Sequence, residues 1–191
     1  MIADERFSAP SRLLHWLMAL LVLAMLFIGV GMAASASGRY SLLLSVHRPL
    51  GIAILVLVAI RFINRLINRP PPLPATLPPL QRLAAKASHF ALYALMFALP
   101  LVGWGMLSAG GYPIVLYGPV ELPPILPQSA ILYAGLRQLH TVLAYLLFAT
   151  FLAHVAAALF HGLIRRDGVW GSMATLTLQN PSRRSESASG R

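Results

Sequence analysis

The stretch LHTVLAYLLFATFLAHVAAALFHGLI, residues 139–164, decides how the chain is read. It holds no Asp, Glu, Lys or Arg, and it exceeds the roughly 20 apolar residues that a membrane-spanning helix needs. Yet it keeps three imidazoles: His140, His154 and His161. Ionisable groups retained inside an apolar span are functional candidates by default.

Three more apolar runs flank it. The first covers residues 13–34 and is broken only by His15. The second, residues 47–66, is strictly apolar over Pro49–Ile60. It is lengthened by Leu42–Val46 and by Arg61 and Arg65, whose stems can lie along lipid while their heads reach water. The third covers residues 88–109 and contains Pro100, which predicts a kink. Ala34-Ser35-Ala36 has the look of a signal-cleavage site, but the apolar core before it is too long and Asp4 and Glu5 precede it. That run is therefore read as a span.

Composition agrees. Of 191 residues, 58% are hydrophobic and 10% charged, with a mean hydropathy of +0.72, against about 45–50% and roughly 25% in soluble domains. The expected fold class is all-α: an integral membrane four-helix bundle occupying residues 1–175, followed by a Ser- and Arg-rich tail, 176–191, of disordered character. Nucleic acid is excluded as a partner despite 15 basic against 5 acidic residues, because a basic groove needs a soluble scaffold to display it. The partner is membrane lipid instead. The absence of cysteine excludes disulfides, thiolate metal sites and iron–sulfur clusters.

Charge predicts orientation. The N-terminus, the connection between spans two and three, and the C-terminus hold 12 of the 15 basic residues; the remaining side has Arg39, Arg48 and Arg137, with Glu121 its one acid. By the positive-inside rule both termini are cytoplasmic. The Pro-rich segment at 70–79 reads as a stiff linker. The apolar, Pro-rich outer loop, from Gly110 to about Gln138, reads as a lid folded onto the membrane face.

The histidines carry the chemistry. Fourteen residues separate His140 from His154, about 40° short of four full turns and about 21 Å along a helix axis. Both rings thus lie on one face of span four, near opposite surfaces. His15 is at the depth of His154, and His47 at that of His140. Imidazole is a common haem ligand, and helical bundles hold cofactors between facing helices. The simplest scheme is two haem b groups, one between His15 and His154 and one between His47 and His140, which makes these four the iron ligands. Gly29, Gly31 and Gly51 offer room for a macrocycle or serve helix packing. His89 and His161 remain: either replaces an inner ligand, borders a quinone site, or faces water at the interface. Arg12, Arg48 and Arg137 sit beside the ligands, suited to haem propionates or to interfacial snorkelling. No Asp or Glu falls within a span, which argues against a proton-driven transporter.

The pattern resembles the bacterial cytochrome b561 family over about residues 10–175. The likeness runs through Arg12-Leu13-Leu14-His15-Trp16, His47-Arg48-Pro49-Leu50-Gly51 leading to Arg61, His89 with Tyr93, Pro100 and Gly103. It continues through Gly111-Tyr112-Pro113, Leu122-Pro123-Pro124, Leu139-His140, His154-Val155-Ala156-Ala157-Ala158-Leu159 and Arg165-Arg166-Asp167-Gly168. The resemblance implies haem b ligands at His15, His47, His140 and His154, and electron transfer involving quinone in the bacterial inner membrane. One branch, superoxide oxidase, passes electrons from periplasmic superoxide to ubiquinone, with the quinone near the residue matching His161. Two positions depart from the family's habit: Gly162 where a second histidine is frequent, and Thr141 where an acid often follows the outer ligand. Two alternatives stand beside this reading. One is a quinol-oxidising cytochrome b that feeds a periplasmic or membrane redox partner. The other is a haem-free membrane transporter or assembly factor.

Overall fold

A computed structural model describes residues 7–35, 38–68, 70–72, 77–167 and 169–174. The tail at 176–191 and the centre of the Pro-rich linker lie outside them. Four long helices are apolar enough to cross a membrane: α1 (Ala9–Ala33), α2 (Gly38–Ile67), α3 (Pro79–Ala109) and α4 (Ala130–Leu159). Hydropathy located each span but truncated it. α2, α3 and α4 all begin well before the expected 47, 88 and 139, because helix length is set by backbone hydrogen bonding and capping, and only the lipid-facing middle must be apolar. Pro79 sits in the first turn of α3, where its missing N–H costs nothing. Ser129 caps α4 by accepting from the Leu132 N–H at 3.3 Å. Pro100 lies inside α3, which the structure keeps as one helix.

Past Leu159, α4 changes its helical geometry. It passes into a π-helical turn, Phe160–Arg165, closed by the Arg166 N–H on the His161 carbonyl at 2.8 Å. Arg166 then takes a left-handed conformation, φ 50°, and a short helix α5 (Val169–Ala174) follows. A π turn carries an extra residue, so it re-aims whatever follows relative to a regular helix.

The helices form two hairpins. α1 packs along α2, α3 along α4, and the hairpins meet chiefly through α2 and α3. Each helix contributes to one core cluster: Val22, Ile54, Leu95, Leu99 and Leu147. Large apolar side chains such as Leu20, Phe27 and Phe90 point outward, as a lipid-facing surface requires. The start of α1 meets α5, with the Phe7 N–H donating to the Ser172 carbonyl at 3.3 Å and Trp16 Nε1 to the Met173 carbonyl at 3.1 Å.

The α3–α4 connection adds a small β-hairpin to the otherwise helical fold: β1 (Ile114–Tyr117) pairs antiparallel with β2 (Val120–Leu122). β-Branched Ile114, Val115 and Val120 favour it, and Gly118 supplies the positive φ of its turn. Trp104 Nε1 donates to the Pro123 carbonyl at 2.9 Å, and the Ile125 N–H to Ser108 Oγ at 3.1 Å. Ile114 is 4% exposed. The segment is thus folded onto the helix ends rather than free.

Gly110, which ends α3, tests this packing. A Cβ there would lie 2.7 Å from the Tyr112 ring and 2.8 Å from the Tyr133 ring. Gly110→Ala should cost about 1–3 kcal/mol through overpacking, seen as a lower melting temperature in detergent. Gly135→Ala, with nothing within 4 Å, should leave that temperature unchanged or slightly raised.

Candidate functional site

The structure gathers the span histidines at two depths. At the hairpin end, His47 of α2 and His140 of α4 face each other with ring centres 6.2 Å apart. At the terminal end of the bundle, where α1 begins and α5 lies, His15 of α1 and His154 of α4 are 6.4 Å apart. Both pairs reach across helices that are not close-packed neighbours, which is where a bundle has room between its backbones.

The hairpin-end pair opens onto a cavity of about 560 Å³, lined by His47, His140, Arg48, Arg137, Gly51 and Gly103. Gly29 also lines it, whereas Gly31 serves helix packing, since a Cβ there would meet Leu43 at 3.1 Å. Gly103 was not singled out for a site role, yet a Cβ on it would lie 3.3 Å from the His140 ring. Ile114 of the β-hairpin closes one wall. Nδ1 of both His47 and His140 is buried with no hydrogen-bond partner. The sequence departure at Thr141 has a visible consequence here: its hydroxyl donates to the Arg137 carbonyl of its own helix at 3.0 Å and does not serve the His140 ring. Arg48 Nη1 reaches the Pro113 carbonyl at 3.5 Å, and its Nε is buried without a partner.

The terminal-end site is more crowded. His89 of α3 packs against His154 with ring centres 5.5 Å apart. Arg61 donates from Nη2 to His15 Nδ1 at 3.2 Å and from Nε to Tyr93 Oη at 3.1 Å, leaving Nη1 buried and unpaired. Arg65 lies over the Tyr93 ring, 5.7 Å from its centre. Arg12 is 6% exposed and donates to the Phe7 carbonyl at 3.1 Å. Arg61 read from sequence as a snorkelling residue; the structure turns it inward. One signal could have found it: the interval from His47 to Arg61 equals that from His140 to His154, so α2 repeats the depth pattern of α4.

His161 stands apart from the trio. Its Nδ1 lies 2.6 Å from Asp167 Oδ2, which also receives Arg165 Nε at 3.4 Å. Arg165 Nη1 donates to Gln81 Oε1 at 2.6 Å, tying the group to α3. Asp167 Oδ1 accepts from the Val169 N–H at 3.4 Å. Gly162 has a local reason to be glycine, because a Cβ there would meet Trp170 at 3.1–3.2 Å. Trp170 in turn packs edge-on against Trp16, 6.2 Å between centres. Trp170 thus fills the space beside position 162.

Four long apolar helices among the described residues, with histidines paired across them at two depths, are the architecture of a multi-pass membrane protein. The chain belongs to the prokaryotic cytochrome b561 family, whose model matches residues 6–176. It is 34% identical over 166 residues to cytochrome b561 homolog 2 of Escherichia coli K12, covering 85% of this chain and 88% of that protein. Against cytochrome b561 homolog 1 of the same organism it is 31% identical, covering 85% and 93%. A probable superoxide oxidase of Yersinia pestis is 28% identical over 164 residues, covering 85% and 92%. Membership makes this a membrane electron-transfer protein of haem b type.

Asp167 makes the terminal-end site pH-dependent. Burial pushes its carboxyl up, but the His161 hydrogen bond, the Val169 N–H and the Arg165 charge outweigh this and hold it below its ordinary 3.8. A depressed carboxyl stabilises the fold above its unfolded-state value and loses that contribution as pH falls through the folded one. The stability of the native chain over Asp167→Asn should therefore hold down to the ordinary carboxyl range and vanish only in stronger acid, as read by thermal melts in detergent across pH 3–7.

Proposed function

We propose that the protein is a two-haem conduit in the bacterial inner membrane that passes electrons from periplasmic superoxide to ubiquinone. The observation that carries this reading is the pair of ring separations, 6.4 Å and 6.2 Å, at opposite ends of the bundle. Two imidazoles with ring centres about 6 Å apart would have room to hold one haem iron between them. His15 with His154 and His47 with His140 have that spacing; His89 with His154, at 5.5 Å, is tighter. The 560 Å³ cavity beside His47 and His140, with its unpaired Nδ1 atoms and flanking glycines, suits a macrocycle.

Haem b, when bound, supplies one-electron redox chemistry; the chain supplies ligands, depth and charge. If His15 held haem iron, its other ring nitrogen would carry a hydrogen, and Arg61, which can only donate, would keep Tyr93 as its partner instead. Arg48 and Arg137 at the other end are placed to hold propionates and, with Arg39, to draw a small anion to that face. The concentration of Arg and Lys at the terminal end supports a cytoplasmic location for both termini. Two superoxide anions each lose one electron and leave as dioxygen; the two electrons, with two cytoplasmic protons, convert ubiquinone to ubiquinol beside His161.

Purified protein should carry about two haems per chain and show reduced b-type bands when superoxide is generated under rapid mixing. His140→Ala should lower the ratio to about one, as expected when a single axial pair is lost. A native ratio of one would overturn the two-site reading; intact haem with no superoxide-dependent reduction would overturn the donor.

A further inference from the structure

The π turn, the left-handed Arg166 and α5 converge on one carboxylate. Asp167 Oδ2 takes the His161 Nδ1 contact at 2.6 Å and Oδ1 accepts the Val169 N–H that begins α5. Arg165, braced by Gln81 of α3, bears on the same oxygen as His161. Apart from this, the ring has only the edge of Phe160, 5.8 Å between centres, as an aromatic neighbour. A π-helical turn and a non-glycine residue at positive φ are both costly and persist where surrounding structure over-determines them. Here the over-determination is this hydrogen-bonded group.

We propose that Asp167 is the positioning residue for His161: by accepting from Nδ1–H it fixes the tautomer and ring plane, leaving Nε2 to meet the quinone oxygen, while its second oxygen ties that orientation to the seating of α5. The proposal rests on the reading of His161 as the quinone-facing residue. Its physical basis is the inventory of the ring. An ionised carboxylate can only accept, so the nitrogen beside it carries a hydrogen and the far nitrogen is free to accept from a quinol hydroxyl or, when protonated, to donate to a quinone oxygen. A histidine whose back nitrogen is held in this way keeps its front nitrogen in one place. The second link runs through α5. Val169 is capped by Asp167, and the next residue, Trp170, lies over Gly162 and against Trp16, the neighbour of His15. Asp167 therefore sets the His161 ring and the aromatic cover beside it together.

The test uses the haem-loaded protein in detergent with a short-chain ubiquinone, and four variants: His161→Gln, Asp167→Asn, Asp167→Glu and the double His161→Gln/Asp167→Asn. Asp167→Asn should leave the visible spectrum and haem content unchanged and raise the ubiquinone KM roughly tenfold or more, the scale of losing a partner that orients a functional ring. Asp167→Glu should recover part of the loss, and the double variant should be no worse than His161→Gln alone, because the two residues act as a unit. Nitrogen-15 histidine NMR should report Nδ1–H on His161 in the native protein and a mixture of tautomers in Asp167→Asn. A raised KM in His161→Gln with Asp167→Asn unchanged, or additive effects in the double variant, would overturn the positioning role while leaving the quinone reading intact. An unchanged KM in His161→Gln would instead overturn the quinone reading, and the tautomer measurement alone would then decide whether Asp167 orients the ring.

Discussion

An imidazole at bilayer depth cannot look to water for its hydrogen bonds, so it must find a partner on another helix at the same depth. Everything else in this structure is arranged around that requirement. It selects helices as the only open-chain backbone that satisfies itself in lipid, and it makes the level of each histidine along its helix more informative than its number. α4 carries rings at both depths, and α1 and α2 each bring one to meet them. The apolar core cluster between the two levels, from Val22 to Leu147, then acts as a spacer that keeps the two polar layers apart.

The two layers are not equivalent. Around His47 and His140 the surroundings are open: a cavity, glycines at close approach, and ring nitrogens without partners. Around His15 and His154 they are crowded and cationic, with Arg61 bonded to one ring and His89 packed edge-on against the other. Nearby charge is among the levers a protein has over haem potential. In the proposed two-haem reading, this asymmetry offers a way to set different potentials at the two ends.

Much of this was legible in the sequence because it is periodic. Four runs of hydropathy located four spans, and the His140–His154 interval placed two rings on one helix face without any structure. What escaped was aperiodic. Helix ends ran past the apolar windows because caps such as Ser129, not lipid contact, terminate them. The π turn at Phe160–Arg165 leaves no hydropathy signature, since inserting a residue changes direction and not composition. The β-hairpin hid in a segment whose prolines argued for irregular backbone. Asp167 could be quoted within a motif, yet its role depends on that turn bringing it back to His161, a contact six residues apart that a regular helix would not make.

The hairpin-by-hairpin packing bears on how the chain is put together in a cell. α1 with α2, and α3 with α4, are each antiparallel pairs able to enter the bilayer as a finished unit, and the two units touch mainly along α2 and α3. Both histidine pairs join α4 to a helix of the opposite unit. In the proposed reading the iron atoms are therefore fasteners as well as carriers. In that reading the two hairpins would be held together by cofactor as well as by the apolar core they share.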